Sequence, residues 1–173
     1  MDALMKVINL FGGPCSGKST TAAGLFSEMK AKHVNVEYVT EVAKEMTWED
    51  RQITLQCQPY IFGKQLRNLW RLKNKVDYII TDSPLLLSAV YGSREVWHDS
   101  FFLFIIEEFK KFDNKNFYLK RGSNYSEIGR NQNLHESMEI DQKIIKTLEE
   151  NKLTFTTFDL KSDTVQSIIK EIL

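Results

Sequence analysis

The sequence predicts an α/β protein, a parallel sheet wrapped by helices, and three observations carry that prediction. Strand-like and helix-like stretches alternate along the chain. A strand, a glycine-rich loop and a helix follow one another near the start, at residues 7–30. Three of the later strand-like runs end in a charged residue: Glu41, Asp82 and Arg121. In an open parallel sheet, ligands bind beyond the carboxyl ends of the strands, so those residues are predicted to gather on one side.

Taken in order, residues 7–11 form a short apolar strand. Residues 12–20, Gly12-Gly13-Pro14-Cys15-Ser16-Gly17-Lys18-Ser19-Thr20, satisfy G-x-x-x-x-G-K-[ST] at every fixed position. The glycines let the backbone curl so that its N–H groups face inward, and the helix from Thr20 adds its positive dipole end. Lys18 is then placed for the β- and γ-phosphates of a nucleoside triphosphate, and the Ser19 hydroxyl for Mg²⁺. A glycine-rich turn that binds nothing fits the glycines but not the full spacing with strand and helix. Cys15 reads as a small residue at a variable loop position; the helix end would otherwise lower its pKa.

Residues 33–40 alternate as a second strand, and Glu41 follows at its tip. A carboxylate there is a candidate general base, or a ligand for an acceptor hydroxyl; the competing reading is a helix-start acid favoured by the dipole. Residues 48–75 are helical in character and rich in aromatics and cations. Phe62 and Gln65 share a helix face and suit a base-binding pocket by stacking and hydrogen bonding, but such spacing equally marks core. Trp70 reads as core, and Lys64, Arg67, Arg71, Lys73 and Lys75 as a solvated face.

Residues 76–82 are the third strand, an apolar run ending in Asp82. Downstream of the phosphate loop this is a Walker-B-like signal, a carboxylate set to hold Mg²⁺ directly or through water. Asp82 serves equally as the base, leaving Glu41 to grip the acceptor sugar. Ser83-Pro84 opens a helix over residues 85–91, and a very apolar helix covers 96–112. The fourth strand, residues 116–120, leads into Arg121. The polar stretch after it reads as a short lid at about residues 121–132, with Arg121 and Arg130 neutralising charge on the transferring phosphoryl group. Asp141, in the helix of residues 136–151, is a candidate to orient a lid arginine. Residues 153–158 form the fifth strand and a helix from Asp163 closes the chain.

The whole chain has 173 residues, one domain in length. Hydrophobic and charged fractions of 42% and 27% are those of a globular protein. The 23 basic and 23 acidic residues cancel, which argues against a broad duplex-DNA footprint without excluding a local basic groove. Two cysteines in no pairing pattern suggest reduced thiols and a cytoplasmic setting. No apolar run approaches membrane-spanning length. His33, His98 and His135 are scattered and read as structural or surface residues.

With these pieces assembled, the chain resembles the P-loop kinases that phosphorylate nucleosides and nucleotides. Within them it is most similar to small phage-encoded proteins related to the kinase domain of bacterial nicotinamide riboside kinases. The resemblance rests on residues 11–21, on 39–45, on Tyr60-Ile61-Phe62-Gly63-Lys64-Gln65, and on Thr81-Asp82-Ser83-Pro84-Leu85-Leu86. Tyr125, Gly129-Arg130-Asn131-Gln132 and Ile140-Asp141 complete it. It implies a three-layer P-loop kinase fold with a five-stranded parallel sheet in the order 2-3-1-4-5, ATP with Mg²⁺, and an arginine-bearing lid. Glu41 matches the base of deoxynucleoside kinases in position, although Val42 follows it in place of their proline. The expected activity is phosphoryl transfer from ATP to a nucleoside, a nucleotide or a modified base. One branch of the resemblance, phage kinases acting on 5-hydroxymethyluracil, makes DNA itself a candidate substrate. A phage-encoded chain would work in the host cytoplasm. An NTP-binding switch or ATPase without an acceptor is the rival from another class, and a homodimer is among the open assembly states.

Overall fold

A computed structural model describes residues 5–122 and 132–173. Five parallel strands form one sheet in the order β2-β3-β1-β4-β5: β1 Lys6–Phe11, β2 Val36–Val39, β3 Tyr78–Thr81, β4 Asp113–Lys120 and β5 Thr156–Asp159. The central strand β1 runs in register with β3 from Lys6 opposite Tyr78, and with β4 from Lys6 opposite Asp113. This is the expected α/β architecture and strand order.

Alternate residues of a strand point to opposite faces, and both faces of this sheet are covered. Val7, Phe11, Ile79 and Tyr118 pack on one side, under helices α4 Gln58–Trp70, α5 Leu87–Tyr91, α6 Asp99–Lys110 and α7 Leu134–Glu150. Ile8, Leu10, Ile80 and Phe117 pack on the other, against α1 Lys18–Ala31 and α8 Thr164–Ile172. That two-sided burial explains why the strands read as apolar runs. Two short helices, α2 Val42–Trp48 and α3 Gln52–Gln56, lie between β2 and α4. Among the described residues no helix is long and apolar enough to cross a membrane.

Several boundaries move, each for a local reason. The second strand begins at Val36, not residue 33, because His33 takes φ 61° and Val34 N–H bonds back to Met29 O at 3.0 Å, closing α1. The fourth strand extends back to Asp113: its polar Asn114 and Asn116 accept from the buried Asn9 side chain at 2.8 and 3.1 Å, so they sit inside the sheet. The helical stretch at 48–75 divides into α3 and α4 at Cys57. Pro59, in the first turn of α4, has no N–H to continue the preceding helix. Trp70, expected in the core, is the last residue of α4 and is 69% exposed. The lid expected at about residues 121–132 falls largely on residues 123–131, outside the described residues, and Arg130 with it.

Candidate nucleotide and acceptor site

The phosphate loop joins β1 to α1 in a backbone shape that dictates its residues. Gly12, Cys15 and Gly17 have φ of 145°, 65° and 77°. A Cβ on Gly12 would stand 2.8 Å from Leu119 O, so only glycine fits at that crossing. Residues Pro14 to Thr20 line a cavity of about 390 Å³. Lys18 and Ser19 are the first two residues of α1, so their N–H groups belong to the helix's unpaired first turn.

Lys18 Nζ donates to Gly12 O at 2.7 Å and Gly13 O at 2.9 Å, folding back along the loop. Burial pushes its pKa down from the ordinary 10.5, while Glu41, Asp82 and Asp141 oppose the shift. A buried ammonium held on the phosphate loop is placed to meet phosphate oxygens. A triphosphate supplies them.

Glu41 and Asp82 come together at the tips of β2 and β3, as expected from the sequence. Glu41 is the N-cap residue of α2 yet makes no side-chain capping bond, and it lines the cavity. It also borders a second cavity of about 200 Å³, shared with Ser19, Tyr38, Lys44, Glu45 and Asp82. Asp82 is 3% exposed, and its Oδ1 is buried without a hydrogen-bond partner among the described residues. An unpartnered buried carboxylate oxygen carries a desolvation cost. With the Ser19 hydroxyl on the same cavity, these hard oxygen donors fit Mg²⁺, whose remaining ligands a triphosphate and water would provide.

Tyr38 is the residue that sequence reasoning missed here. Burial raises its phenol above the ordinary range, and the charge of the neighbouring Asp82 carboxylate raises it further. The signal was available: in the alternation of β2 it points to the same side as the apolar Val36, yet it carries a hydroxyl at the ligand end.

The other expectations distribute unevenly. Phe62 is 3% exposed and packs edge-on against Phe101 and Phe104, with centroids 6.2 and 5.7 Å away. It is core, and it does not reach the cavity wall. Gln65, also 3% exposed, accepts from Val42 N at 3.4 Å and donates to Thr81 Oγ1 at 3.3 Å. Those partners are the neighbours of Glu41 and Asp82, so Gln65 ties the two acidic strand tips together in place of meeting a base. The chamber beyond Glu41 is instead walled by Trp48, Leu55, Ile61, Leu87 and Tyr91, with Gln58 and Ser88 as polar groups. These residues sit on four different helices, which is why no local spacing announced them.

Arg121 is held on the loop's own backbone and is not on the cavity wall. Its Nη1 donates to Pro14 O, and its Nη2 pairs with Asp141 and donates to Ser137 O at 3.1 Å. Asp141 in turn accepts from Gly13 N at 2.6 Å. Burial and the charge of the neighbouring Asp141 carboxylate raise the Tyr118 phenol above its ordinary range. Gln132, on the near side of the undescribed stretch, does line the cavity.

Comparison with curated proteins found no match. A family model described as an AAA domain matches residues 7–166, from the first strand into the last helix. Its match covers the phosphate loop, both acidic strand tips and Asp141. The chain therefore belongs to this AAA domain family, of P-loop NTPase type, and is a nucleotide-binding protein built on that loop.

Proposed function

We propose that the chain is a phosphotransferase that moves the γ-phosphoryl group of ATP to a hydroxyl of a small, nucleoside-like acceptor. The observation that supports this reading is the lining of the cavity: the phosphate loop, Glu41 and apolar side chains from four helices border one space. Simple hydrolysis needs only water at Glu41, whereas a chamber walled by Trp48, Ile61, Leu87 and Tyr91 suits a planar ring.

Residues 12–20 cradle the triphosphate, and Lys18 leaves the loop carbonyls to neutralise its charge. Ser19 and Asp82 are the residues that would hold Mg²⁺, which lowers the charge cost of the spreading phosphoryl group. With Asp82 assigned to the metal, Glu41 takes the proton from the acceptor hydroxyl. The hydroxyl oxygen forms the new bond to Pγ as the Pγ–O bond to the β-phosphate breaks, and ADP leaves. Among the described wall residues the cations are Lys18 and Lys44, a modest set for gripping an acceptor's own phosphate. That favours an uncharged nucleoside over a nucleotide.

The test is ATP consumption with Mg²⁺ against free nucleosides, nucleoside monophosphates, nicotinamide riboside, and DNA with or without 5-hydroxymethyluracil. Lys18→Ala is the control. Turnover with a free nucleoside is the expected result. Turnover with modified DNA alone, falling steeply with salt, moves the acceptor into the polymer. Family membership favours one second reading, an NTPase whose output is conformational. Hydrolysis indifferent to every acceptor selects it and ends the kinase proposal.

A further inference from the structure

Against the phosphate loop, and not among the lining residues of the cavity, lies a buried charge pair that the proposed transfer chemistry does not use. Arg121 closes β4 and Asp141 lies in the second turn of α7; their side chains are only 8% and 16% exposed. Between them they hold consecutive loop residues: Asp141 Oδ1 takes the Gly13 N–H at 2.6 Å, and Arg121 Nη1 takes the Pro14 carbonyl. Arg121 Nη2 also donates to Ser137 O at 3.1 Å, which fixes the guanidinium to α7. The fit leaves no slack, since a Cβ on Gly13 would stand 2.8 Å from both Asp141 Oδ1 and Arg121 Nη2.

A carboxylate at this place has two opposed effects. Its hydrogen bond to Gly13 N–H fixes the Gly12–Gly13 peptide, whose carbonyl, on the opposite side of that trans unit, accepts from the Lys18 ammonium. Its charge, however, reaches the phosphate site: Asp141 is among the carboxylates that act on Lys18. Left alone, that charge would oppose a triphosphate. Arg121 cancels it.

We propose that Asp141 and Arg121 are a neutral clamp that sets nucleotide affinity: Asp141 positions the loop at Gly13, and Arg121 positions it at Pro14 while masking the Asp141 charge from the phosphates. Arg121 acts here through the loop and through Asp141, not by touching the transferring group. The clamp depends on nucleotide binding alone and on no acceptor, so it stands or falls independently of the kinase reading.

The experiment is titration calorimetry of Mg-ATP against the full chain carrying Arg121→Gln, Asp141→Asn, Asp141→Ala, and Arg121→Gln with Asp141→Asn together. Thermal melts run alongside. Arg121→Gln leaves the carboxylate unmasked, and ATP affinity falls about tenfold or more. Adding Asp141→Asn removes that charge while keeping an oxygen for Gly13 N–H, so the double variant binds ATP more tightly than Arg121→Gln alone. Asp141→Asn loses less affinity than Asp141→Ala, which strips the amide of its acceptor. A purely structural pair gives the opposite pattern, with lowered melting temperatures and unmoved ATP affinity, and overturns the proposal. A double variant no better than Arg121→Gln overturns it too, because Arg121 then contacts the phosphates directly. If Asp141→Ala does not fold, Arg121→Gln, the near-isosteric Asp141→Asn and the two together still decide.

Discussion

The phosphate end of the cavity comes from one run of residues, 12–20, while the proposed acceptor end draws on Trp48 of α2, Leu55 of α3, Ile61 of α4 and Leu87 and Tyr91 of α5. The first works through backbone: N–H groups at a helix start, left-handed turns at Cys15 and Gly17, and one lysine. The second works through side-chain shape on separately packed helices. Backbone geometry constrains sequence tightly, because few residues tolerate positive φ or a missing Cβ. A side-chain wall constrains it loosely, since many apolar sets make a chamber of similar form. A P-loop is therefore alike in proteins with different acceptors, and acceptor choice is set by the loosely constrained end.

The sharpest way to break this comparison is at the residue shared by both ends. Glu41 borders the loop cavity and the smaller one beside Asp82. Glu41→Gln keeps shape and hydrogen-bonding capacity but cannot take a proton. Acceptor phosphorylation is expected to fall about 10²–10⁴-fold, with Mg-ATP binding by calorimetry retained. If ATP affinity collapses with it, Glu41 belongs to the phosphate end. If kcat is unmoved, Asp82 is the base.

A second substitution isolates the acceptor end. Trp48 is 62% exposed, so Trp48→Ala removes a wall at little cost to the core. If the tryptophan supports a planar ring, the acceptor KM rises about tenfold, the usual loss of one stacking contact, while the KM for ATP stays put. An equal rise in both would mean that the two ends are not separable.

Gln65 sharpens the picture from underneath. Its bonds to Val42 N and Thr81 Oγ1 hold the residues next to Glu41 and Asp82. Gln65→Leu leaves the buried Val42 N–H unpaired and takes from Thr81 Oγ1 one of its two donors, Ser83 N remaining, and a stability loss of about 1–3 kcal/mol follows. If the bridge also sets the spacing of the two acids, kcat drops several-fold beyond the loss of folded protein, with both KM values little changed. Gln65→Glu, which keeps an acceptor for Val42 N, separates the two contributions.

These residues also show what the sequence made legible. The loop and the meeting of Glu41 with Asp82 follow from contiguous signals, a fixed-spacing motif and strands that end in acids on the ligand side, whereas the strand order was implied by the family resemblance. Phe62 and Gln65 were visible as a helical pair, but helix periodicity says which residues share a face, not what that face meets. For Phe62 it meets the rings of α6, and for Gln65 the strand tips. Arg121 was legible as a guanidinium after β4. Its partner Asp141 is 20 residues further on, and its hold on Pro14 O spans 107, so the clamp existed only once the sheet had formed. The chamber walls were hidden for the same reason, being spread over four helices.

The smallest effect concerns Lys18 and protons. Burial holds its pKa below the ordinary 10.5 in the ligand-free fold, against the pull of Glu41, Asp82 and Asp141. Between the folded and unfolded values the unfolded chain carries the extra proton, so this group's contribution makes stability rise with pH up to 10.5. Triphosphate binding reverses the balance, because an anion beside the ammonium favours its charged form and lifts the pKa again. Nucleotide binding is then linked to proton uptake on the alkaline side, and ATP affinity declines as pH climbs toward 10.5. Calorimetry of Mg-ATP binding in two buffers of different ionisation enthalpy measures that uptake directly. Lys18→Met should bind weakly and show none of Lys18's linkage. Uptake that persists in Lys18→Met would place the proton elsewhere.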